Sequence, residues 1–160
     1  MFNSTHTGSF AQRQSVGHNK AEDLFEEKLD KLKISFNRFG FDEKKGFVPN
    51  FWQISATIRS LPDYVVFLNS KNCYFHIKGT NKIKLHDIMN YYLFQSLFCN
   101  KSTPLYLGIL AKNKEFYLSF NTFIKTIKDL KVKSFDNDGK MYFEIPFDVL
   151  EKNKEEIFTQ

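Results

Sequence analysis

Three residues of types that take part in catalysis lie at the ends of two neighbouring apolar segments. Asp63 opens the segment at residues 63–68, and His76 and Lys78 close the segment at residues 73–78. A carboxylate and a neutral imidazole both bind divalent metal ions, and an ammonium group stabilises negative charge that develops during a reaction. These residue types favour metal-assisted chemistry, provided that the fold brings the two segments together.

The two segments are predicted to form antiparallel strands. Residues 69–72 read Asn-Ser-Lys-Asn, a composition typical of turns, and so short a connection joins antiparallel neighbours. With the turn centred between positions 70 and 71, Asp63 is predicted to lie opposite Lys78. Side chains two apart in a strand share a face, so His76 and Lys78 should project together while Ile77 enters the core.

A helix is predicted to begin at Asn19, where Glu22 three residues later suits a capping box, and to end near Gly40. Glu22 shares a face with the apolar residues of this helix. Its carboxylate therefore either supports the helix start or points into a site beneath the helix. The apolar residues at helical spacing are Phe25, Leu29, Leu32 and Phe36.

The remaining pattern predicts an α/β domain in which helices flank a mixed β-sheet. Residues 1–19 are expected to be a flexible arm, and residues 20–160 a single domain. A broadly apolar helix at 85–99 should pack against the sheet through two rows of side chains, one containing Met89 and the other Tyr91. The other predicted elements are a loop at 40–50, strands at 51–60, 105–110 and 115–120, a helix at 122–130, a hairpin of 132–135 with 141–145, and a helix at 147–158.

Composition narrows the class of protein. The chain has 160 residues and a net charge of +5, which favours a polyanionic partner. Cys73 and Cys99 lack the paired spacing of zinc or disulfide frameworks, and no nucleotide-binding glycine motif is present. No apolar run approaches the ~20 residues that span a bilayer, and the N-terminus lacks the pattern of a secretory signal. We therefore expect a cytoplasmic protein without membrane contact.

Taken in order, these features resemble the PD-(D/E)XK nuclease superfamily, which has a restriction-endonuclease-like core. The resemblance extends over residues 17–120. Within the superfamily the chain looks most like the Holliday-junction resolvases of archaea, Gram-positive bacteria and phages. Those enzymes share a small single domain, an early Gly-x-x-x-x-Glu, and a Lys-Gly/Ser-Thr sequence after the second strand. The matching residues here are Gly17 with Glu22, Pro62-Asp63, Ile77-Lys78-Gly79-Thr80 and Gln95.

The resemblance implies a metal-dependent DNA endonuclease that hydrolyses phosphodiester bonds, structure-specific and acting on branched DNA in a bacterium or phage-infected cell. It assigns Asp63 as the central metal ligand, Lys78 as the catalytic lysine and Glu22 as a ligand directly or through water. Ile77 would lend its backbone carbonyl to the metal. A homodimer is expected, since symmetric cleavage of a four-way junction needs two sites related by a two-fold axis. The residues expected to contact nucleic acid are Lys82, Lys84, Gln95, Arg13 and Lys20.

His76 departs from the superfamily pattern, which has a carboxylate at this position. Imidazole suits Mn²⁺ better than Mg²⁺, so the expected cofactor is Mg²⁺ or Mn²⁺ with Mn²⁺ favoured. Three interpretations stay open. His76 is itself a ligand, or a nearby acid such as Asp87 or Glu22 replaces the missing carboxylate, or the site is degenerate and the protein binds DNA without cutting it. A restriction-type or RNA-cutting nuclease is a further alternative.

Overall fold

The computed structural model describes residues 19–39 and 54–158. Residues 1–18 of the predicted arm at 1–19, the loop at 40–50 and the first part of the predicted strand at 51–60 lie outside these residues. The helices are α1 (Asn19–Lys31), α2 (Ala56–Arg59), α3 (Leu85–Phe98), α4 (Phe120–Ile127) and α5 (Phe147–Asn153). The strands are β1 (Phe36–Arg38), β2 (Tyr64–Leu68), β3 (Lys71–Lys78), β4 (Lys82–Lys84), β5 (Leu105–Ala111), β6 (Lys114–Ser119), β7 (Val132–Ser134) and β8 (Met141–Glu144).

Five strands form a mixed central sheet in the order β1-β2-β3-β5-β6. Strand β2 pairs antiparallel with both β1 and β3. Strand β5 pairs parallel with β3, and β6 pairs antiparallel with β5. The long connection through α3 allows the parallel pairing, because parallel neighbours need a crossover. The predicted α/β class with a mixed sheet flanked by helices is confirmed.

The sheet separates two cores. On one face, Phe25 and Leu29 of α1 are fully buried against Tyr64 and Phe75 of the central strands. On the other face, helices α3, α4 and α5 cover apolar side chains of β5 and β6. Because side chains alternate along a strand, Ile77 lies in the α1 core while its neighbours in β3 point towards α3. This alternation determines which polar residues can meet.

A smaller sheet in the order β4-β8-β7 extends from the end of β3. Its β7–β8 hairpin was predicted from the sequence and is confirmed. Strand β4 was missed, because three residues are too few for a clear alternation. The side-chain amide of Asn81 donates to the Ile145 carbonyl at 2.9 Å, and the Ile145 N–H donates to the Asn81 carbonyl at 3.0 Å. These bonds tie the small sheet to the end of β3.

The first helix ends at Lys31, well before the predicted stop at Gly40, which lies outside the described residues. Lys33 has a φ of 55°, and the Ile34 N–H donates to the Leu29 carbonyl at 2.9 Å. A left-handed residue followed by this long-range bond is a Schellman ending. Phe36, predicted to lie in the helix, is therefore the first residue of β1.

The predicted strand at 51–60 is wrong over its described part, where residues 56–59 form α2. The apolar alternation at Ile54 and Ile58 suggested a strand. Instead, the Ser55 hydroxyl accepts from the Ile58 N–H at 3.4 Å, and the Arg59 N–H donates to the Ser55 carbonyl at 3.0 Å. Ser55 therefore caps a helical turn, the role for which serine is favoured.

The helix predicted at 85–99 is present as α3, but it packs through one row of side chains rather than two. Ile88, Tyr91 and Phe94 are buried, whereas the row that begins at Met89 is exposed. The predicted helices at 122–130 and 147–158 are both shorter, as α4 and α5. No helix in the described ranges combines the length and apolar character needed to cross a membrane.

Candidate active site

The β2–β3 hairpin has a tighter turn than predicted. Leu68 pairs with Lys71, so the turn contains Asn69 and Ser70 alone. These two residues have φ values of 49° and 62°, the left-handed conformation that a two-residue type I′ turn requires at both positions. The prediction had assigned four residues to this turn.

The tighter turn moves the pairing by two positions. Continued from the Tyr64–Phe75 pair, the register sets Asp63 opposite His76, so the predicted pairing of Asp63 with Lys78 was wrong. A shift of two positions preserves the alternation of side chains. Asp63, His76 and Lys78 therefore still lie on one face of the sheet, the face towards α3.

The Asp63 carboxylate is held at the mouth of this site. Its Oδ2 accepts a hydrogen bond from the Ile77 N–H at 2.7 Å, and the side chain is 34% exposed. Burial raises the pKa of Asp63 to about 6, although the positive charge of Lys78 and the Ile77 hydrogen bond oppose the rise. The carboxylate is thus fixed in direction and accessible, as a ligand for a cation must be.

The His76 ring is buried on the face of the sheet towards α3. It stacks on Tyr91 with ring centroids 3.7 Å apart. Nδ1 lies 3.9 Å from Asp63 Oδ2, beyond hydrogen-bonding distance, and within residues 19–39 and 54–158 Nε2 has no hydrogen-bond partner. Burial, reinforced by the charge of Lys78, lowers the pKa of His76 well below its ordinary value. The imidazole is therefore neutral, the state in which it binds metal ions.

Lys78 is held by α3 rather than by Asp63. Its Nζ lies 3.0 Å from Asp87 Oδ2 and 5.5 Å from the centre of the Tyr91 ring. Burial opposes the ammonium form, but Tyr91, Asp87 and Asp63 together raise the pKa of Lys78. The sequence left open that Asp87 replaces the missing carboxylate as a metal ligand. In the structure it binds the lysine instead.

Tyr91 contacts both His76 and Lys78, and the sequence analysis did not include it in the site. It had been assigned to the core, in which it is indeed buried. Tyr91 could have been identified from its position four residues after Asp87, because this spacing places both side chains on one face of a helix. An acid and a tyrosine at this spacing, facing a strand lysine, indicate a polar contact within an apolar helix.

Glu22 lies on the α1 side of the sheet, where Arg38 binds it. Arg38 Nη1 is 3.0 Å from Glu22 Oε2, and its Nη2 also contacts Glu26. Glu26 in turn accepts a hydrogen bond from the Tyr64 hydroxyl at 2.7 Å. Glu22 still acts on the site electrostatically, because its charge contributes to raising the pKa of Asp63. Arg38 was not identified from the sequence, because residue 38 was predicted to lie near the end of a long helix.

The residues expected to contact nucleic acid are dispersed. Lys82 and Lys84 lie in β4, four and six positions after Lys78. Lys20 is exposed at the start of α1 and lines a cavity of about 360 Å³ beside Gly79. Gln95 is away from the site, since its side chain donates to Asn121 at 2.9 Å. Arg13 lies outside the described residues.

The donor set is sparse but fits a divalent ion. Within the described residues, no group of three or more His, Cys, Asp or Glu side chains is arranged to hold a metal ion. The 3.9 Å between His76 Nδ1 and Asp63 Oδ2 is nevertheless shorter than the roughly 4.2 Å that two metal–ligand bonds of about 2.1 Å can span. One ion could therefore contact His76 Nδ1 and Asp63 Oδ2 together. The buried nitrogen without a hydrogen-bond partner in the described residues is the other ring nitrogen, Nε2.

Comparison with models of known protein families finds no match, and no curated protein matches the chain.

Proposed function

We propose that the chain is a metal-dependent endonuclease that hydrolyses phosphodiester bonds in DNA. The observation that carries this proposal is the position of Asp63 and Lys78 on one face of the hairpin, with Asp63 held by the backbone N–H of Ile77. An accessible carboxylate beside a fixed ammonium group suits a reaction in which a metal ion and a phosphate must meet.

The arrangement of the domain supports a restriction-endonuclease-like core. A helix that bears an acid precedes three antiparallel strands, and a second helix leads to a strand parallel to the third. This is the order expected from the sequence, except that β1 at Phe36–Arg38 supplies the first strand. The resemblance to Holliday-junction resolvases motivates the choice of branched DNA as substrate and of a homodimer as the active form.

Asp63, His76 Nδ1 and the backbone carbonyl of Ile77 would hold the metal ion. Glu22, the further ligand that the resemblance implies, is paired with Arg38 on the opposite face of the sheet and is left out of this proposed ligand set. When bound, the ion polarises the scissile phosphate and lowers the pKa of a water molecule. Neutral imidazole among the donors favours Mn²⁺ over Mg²⁺.

The residues of the chain would position the reacting groups. Lys78 offsets the negative charge that grows on the phosphate oxygens as water attacks. The water oxygen forms a bond to phosphorus, the bond from phosphorus to the leaving sugar oxygen breaks, and the proton lost by the water is balanced by a proton gained by the leaving group. Asp87 and Tyr91 keep the Lys78 ammonium group in place from the α3 side.

A noncatalytic DNA-binding protein on the same scaffold is the second candidate. Two observations favour it: the described residues contain no three-ligand group, and Glu22 is already paired with Arg38. In this case the net charge of +5 would support binding to DNA, and the histidine that replaces an acid at position 76 would prevent catalysis.

The test is cleavage of a four-way junction, a duplex, a single strand and an RNA strand, each with Mg²⁺ or Mn²⁺. The wild type should cut the junction faster with Mn²⁺ than with Mg²⁺, and Asp63→Ala should lose at least about 10²-fold in rate. Equal cleavage by Asp63→Ala would indicate a contaminating nuclease and end the proposal.

The variant His76→Glu separates the two candidate functions. If the site is active, restoring the carboxylate should shift the preference from Mn²⁺ towards Mg²⁺. If the wild type is inactive with both metals and His76→Glu cuts, the natural protein is a degenerate binder. His86→Glu, an exposed histidine on α3, is the matched control and should change neither rate nor metal preference.

A further inference from the structure

Strand register gathers three lysines on one face of the small sheet. Lys82 pairs with Glu144, and Lys84 and Lys133 both pair with Tyr142 from opposite sides. Directly paired residues in antiparallel strands share a face, so all five side chains lie on the same side. The opposite side carries Ile83 and Phe143, which belong to the core or pack against it. We call the outer side, defined by Lys82, Lys84 and Lys133, the basic sheet face.

Positive charge on this face exceeds negative charge. Glu144 is the one carboxylate that the register sets among the three lysines, and it pairs with Lys133 Nζ at 2.6 Å. A hydrogen bond from Lys133 lowers the pKa of Glu144, helped by the nearby charge of Lys82. The ammonium groups of Lys82 and Lys84 have no ion pair within the described part of the chain at salt-bridge distance. Asp138 lies near enough for the charge of Lys84 to help lower its pKa, but Asp138 pairs with Lys140 at 2.9 Å, so the face retains a net positive charge.

Aromatic rings lie within the basic sheet face. Phe135 stacks on Tyr142 with ring centroids 4.1 Å apart, and Lys82 Nζ lies 5.4 Å from the centre of the Tyr142 ring. The ring contact holds the stem of Lys82 against the sheet rather than free in solvent. A lysine ordered in this way loses less conformational entropy when it binds a phosphate.

The face is close to the candidate active site along the chain. Three residues separate Lys78 from Lys82, and the paired hydrogen bonds between Asn81 and Ile145 hold the last of these three to the small sheet. Extended chain covers at most about 3.6 Å per residue, so Lys82 lies within about 14 Å and Lys84 within about 22 Å of Lys78. Nucleotides in one strand of a duplex rise about 3.4 Å each, so these distances correspond to a few nucleotides.

We propose that the basic sheet face binds the phosphate backbone of the nucleic acid strand as it leaves the site formed by Asp63 and Lys78. The occupant is a nucleic acid because the face presents several ammonium groups within a few nucleotides' length of the site that we propose cleaves phosphodiester bonds. The inference deepens the proposed function by naming the surface that carries the substrate. Its contacts are to phosphate, so the face contributes affinity and register rather than sequence preference.

The test measures binding of a labelled 20-nucleotide duplex to the full chain by fluorescence anisotropy, in EDTA so that cleavage cannot occur. The variant Lys82→Gln/Lys84→Gln/Lys133→Gln removes the basic sheet face. The control Lys71→Gln/Lys101→Gln/Lys125→Gln removes three exposed lysines elsewhere and changes the net charge equally. Circular dichroism melting curves should show that both variants fold.

Three lost phosphate contacts should reduce the slope of log K against log salt by about 2 to 3 for the face variant. We expect its Kd at low salt to rise at least 10-fold, against a change below about 3-fold for the control. Equal losses in the two variants would overturn the inference, because binding would then depend on total charge and not on this face.

Acetylation of lysines in the wild type, read by mass spectrometry, gives a second measurement that needs no folded variant. DNA should protect Lys82, Lys84 and Lys133 but leave Lys71, Lys101 and Lys125 reactive. Protection of the face by anionic lipid vesicles and not by DNA would overturn the inference.

The two proposals fail separately. Junction cleavage with no selective protection would leave the proposed function standing and remove this surface from it. Selective protection without cleavage in any metal would support the binding surface while the endonuclease proposal fails.

Discussion

Two polar clusters lie on opposite faces of the central sheet and differ in how completely their groups are paired. On the α1 face, Arg38 contacts both Glu22 and Glu26, and Glu26 also accepts from the Tyr64 hydroxyl. Every group in this cluster has a partner of complementary charge or hydrogen-bonding capacity. We call these four residues the closed cluster.

The cluster on the α3 face is incomplete. Lys78 is held by Asp87, but His76 Nε2 has no hydrogen-bond partner among the described residues, and the Asp63 side chain is a third exposed. Buried polar groups without partners are costly, and they persist where function requires them. The contrast assigns the closed cluster to stabilising the fold. The α3-face cluster, which also includes Tyr91, is the one that we propose binds a ligand.

The largest stability effect is expected from breaking the closed cluster. Arg38→Gln leaves Glu22 and Glu26 without their shared cation in a site where all three side chains are mostly buried. The loss of a buried partner should lower the free energy of unfolding by about 2–3 kcal/mol, measured by urea denaturation. The exposed Lys31–Glu27 pair is the control, and Lys31→Gln should change stability by less than about 0.5 kcal/mol. Similar effects of the two substitutions would show that the closed cluster stabilises the fold no more than an exposed ion pair does.

A smaller effect, on activity rather than stability, is expected from Tyr91→Phe. The phenylalanine keeps the stack on His76 and removes the hydroxyl beside Lys78. If Tyr91 positions the lysine, kcat should fall about 10-fold, equivalent to about 1.4 kcal/mol, while KM stays unchanged. Tyr92→Phe, at an exposed neighbouring position, should leave both constants as they are. A change in KM alone would assign Tyr91 to substrate binding instead.

The smallest effect is a gain in stability from Asp63→Asn in the metal-free protein. The folded pKa of about 6 lies above the ordinary value of 3.8, so the fold favours the protonated carboxyl group. The stability that protonation provides is present below pH 3.8 and lost as the pH rises to about 6. At pH 7, Asp63→Asn should gain about 1 kcal/mol, a modest value because solvent screens the side chain.

The pH profile checks the sign of this effect. Wild-type stability should fall between pH 4 and 6 more steeply than that of Asp63→Asn, measured by thermal melting in EDTA. A substitution that destabilises the protein at neutral pH would mean that Asp63 is structural, as in the closed cluster.

The face shared by Asp63, His76 and Lys78 could be predicted from the sequence because strand alternation is insensitive to a shift of two residues. The register itself could not, since a two-residue and a four-residue turn fit the same polar stretch and differ only in backbone conformation. The partners of Lys78 and Glu22 could not be predicted either, because Asp87 and Arg38 lie on elements whose placement against the sheet was unknown. Arg38 was missed because α1 ends earlier than predicted, which leaves residue 38 in a strand. Just after the helix, Lys33 adopts the left-handed conformation usually taken by glycine, and no glycine marks this position in the sequence.

Paramagnetic broadening is the direct test of whether the α3-face cluster binds a divalent ion, as we propose. Mn²⁺ added in small amounts to the ¹⁵N-labelled protein should broaden the amide signals of Asp63, Ile77 and Lys78 first. Asp63→Asn should abolish this selective broadening, and Glu26→Gln, in the closed cluster, should preserve it. Broadening centred on another region, such as the acidic turn at residues 136–138, or unchanged broadening in Asp63→Asn, would contradict the claim.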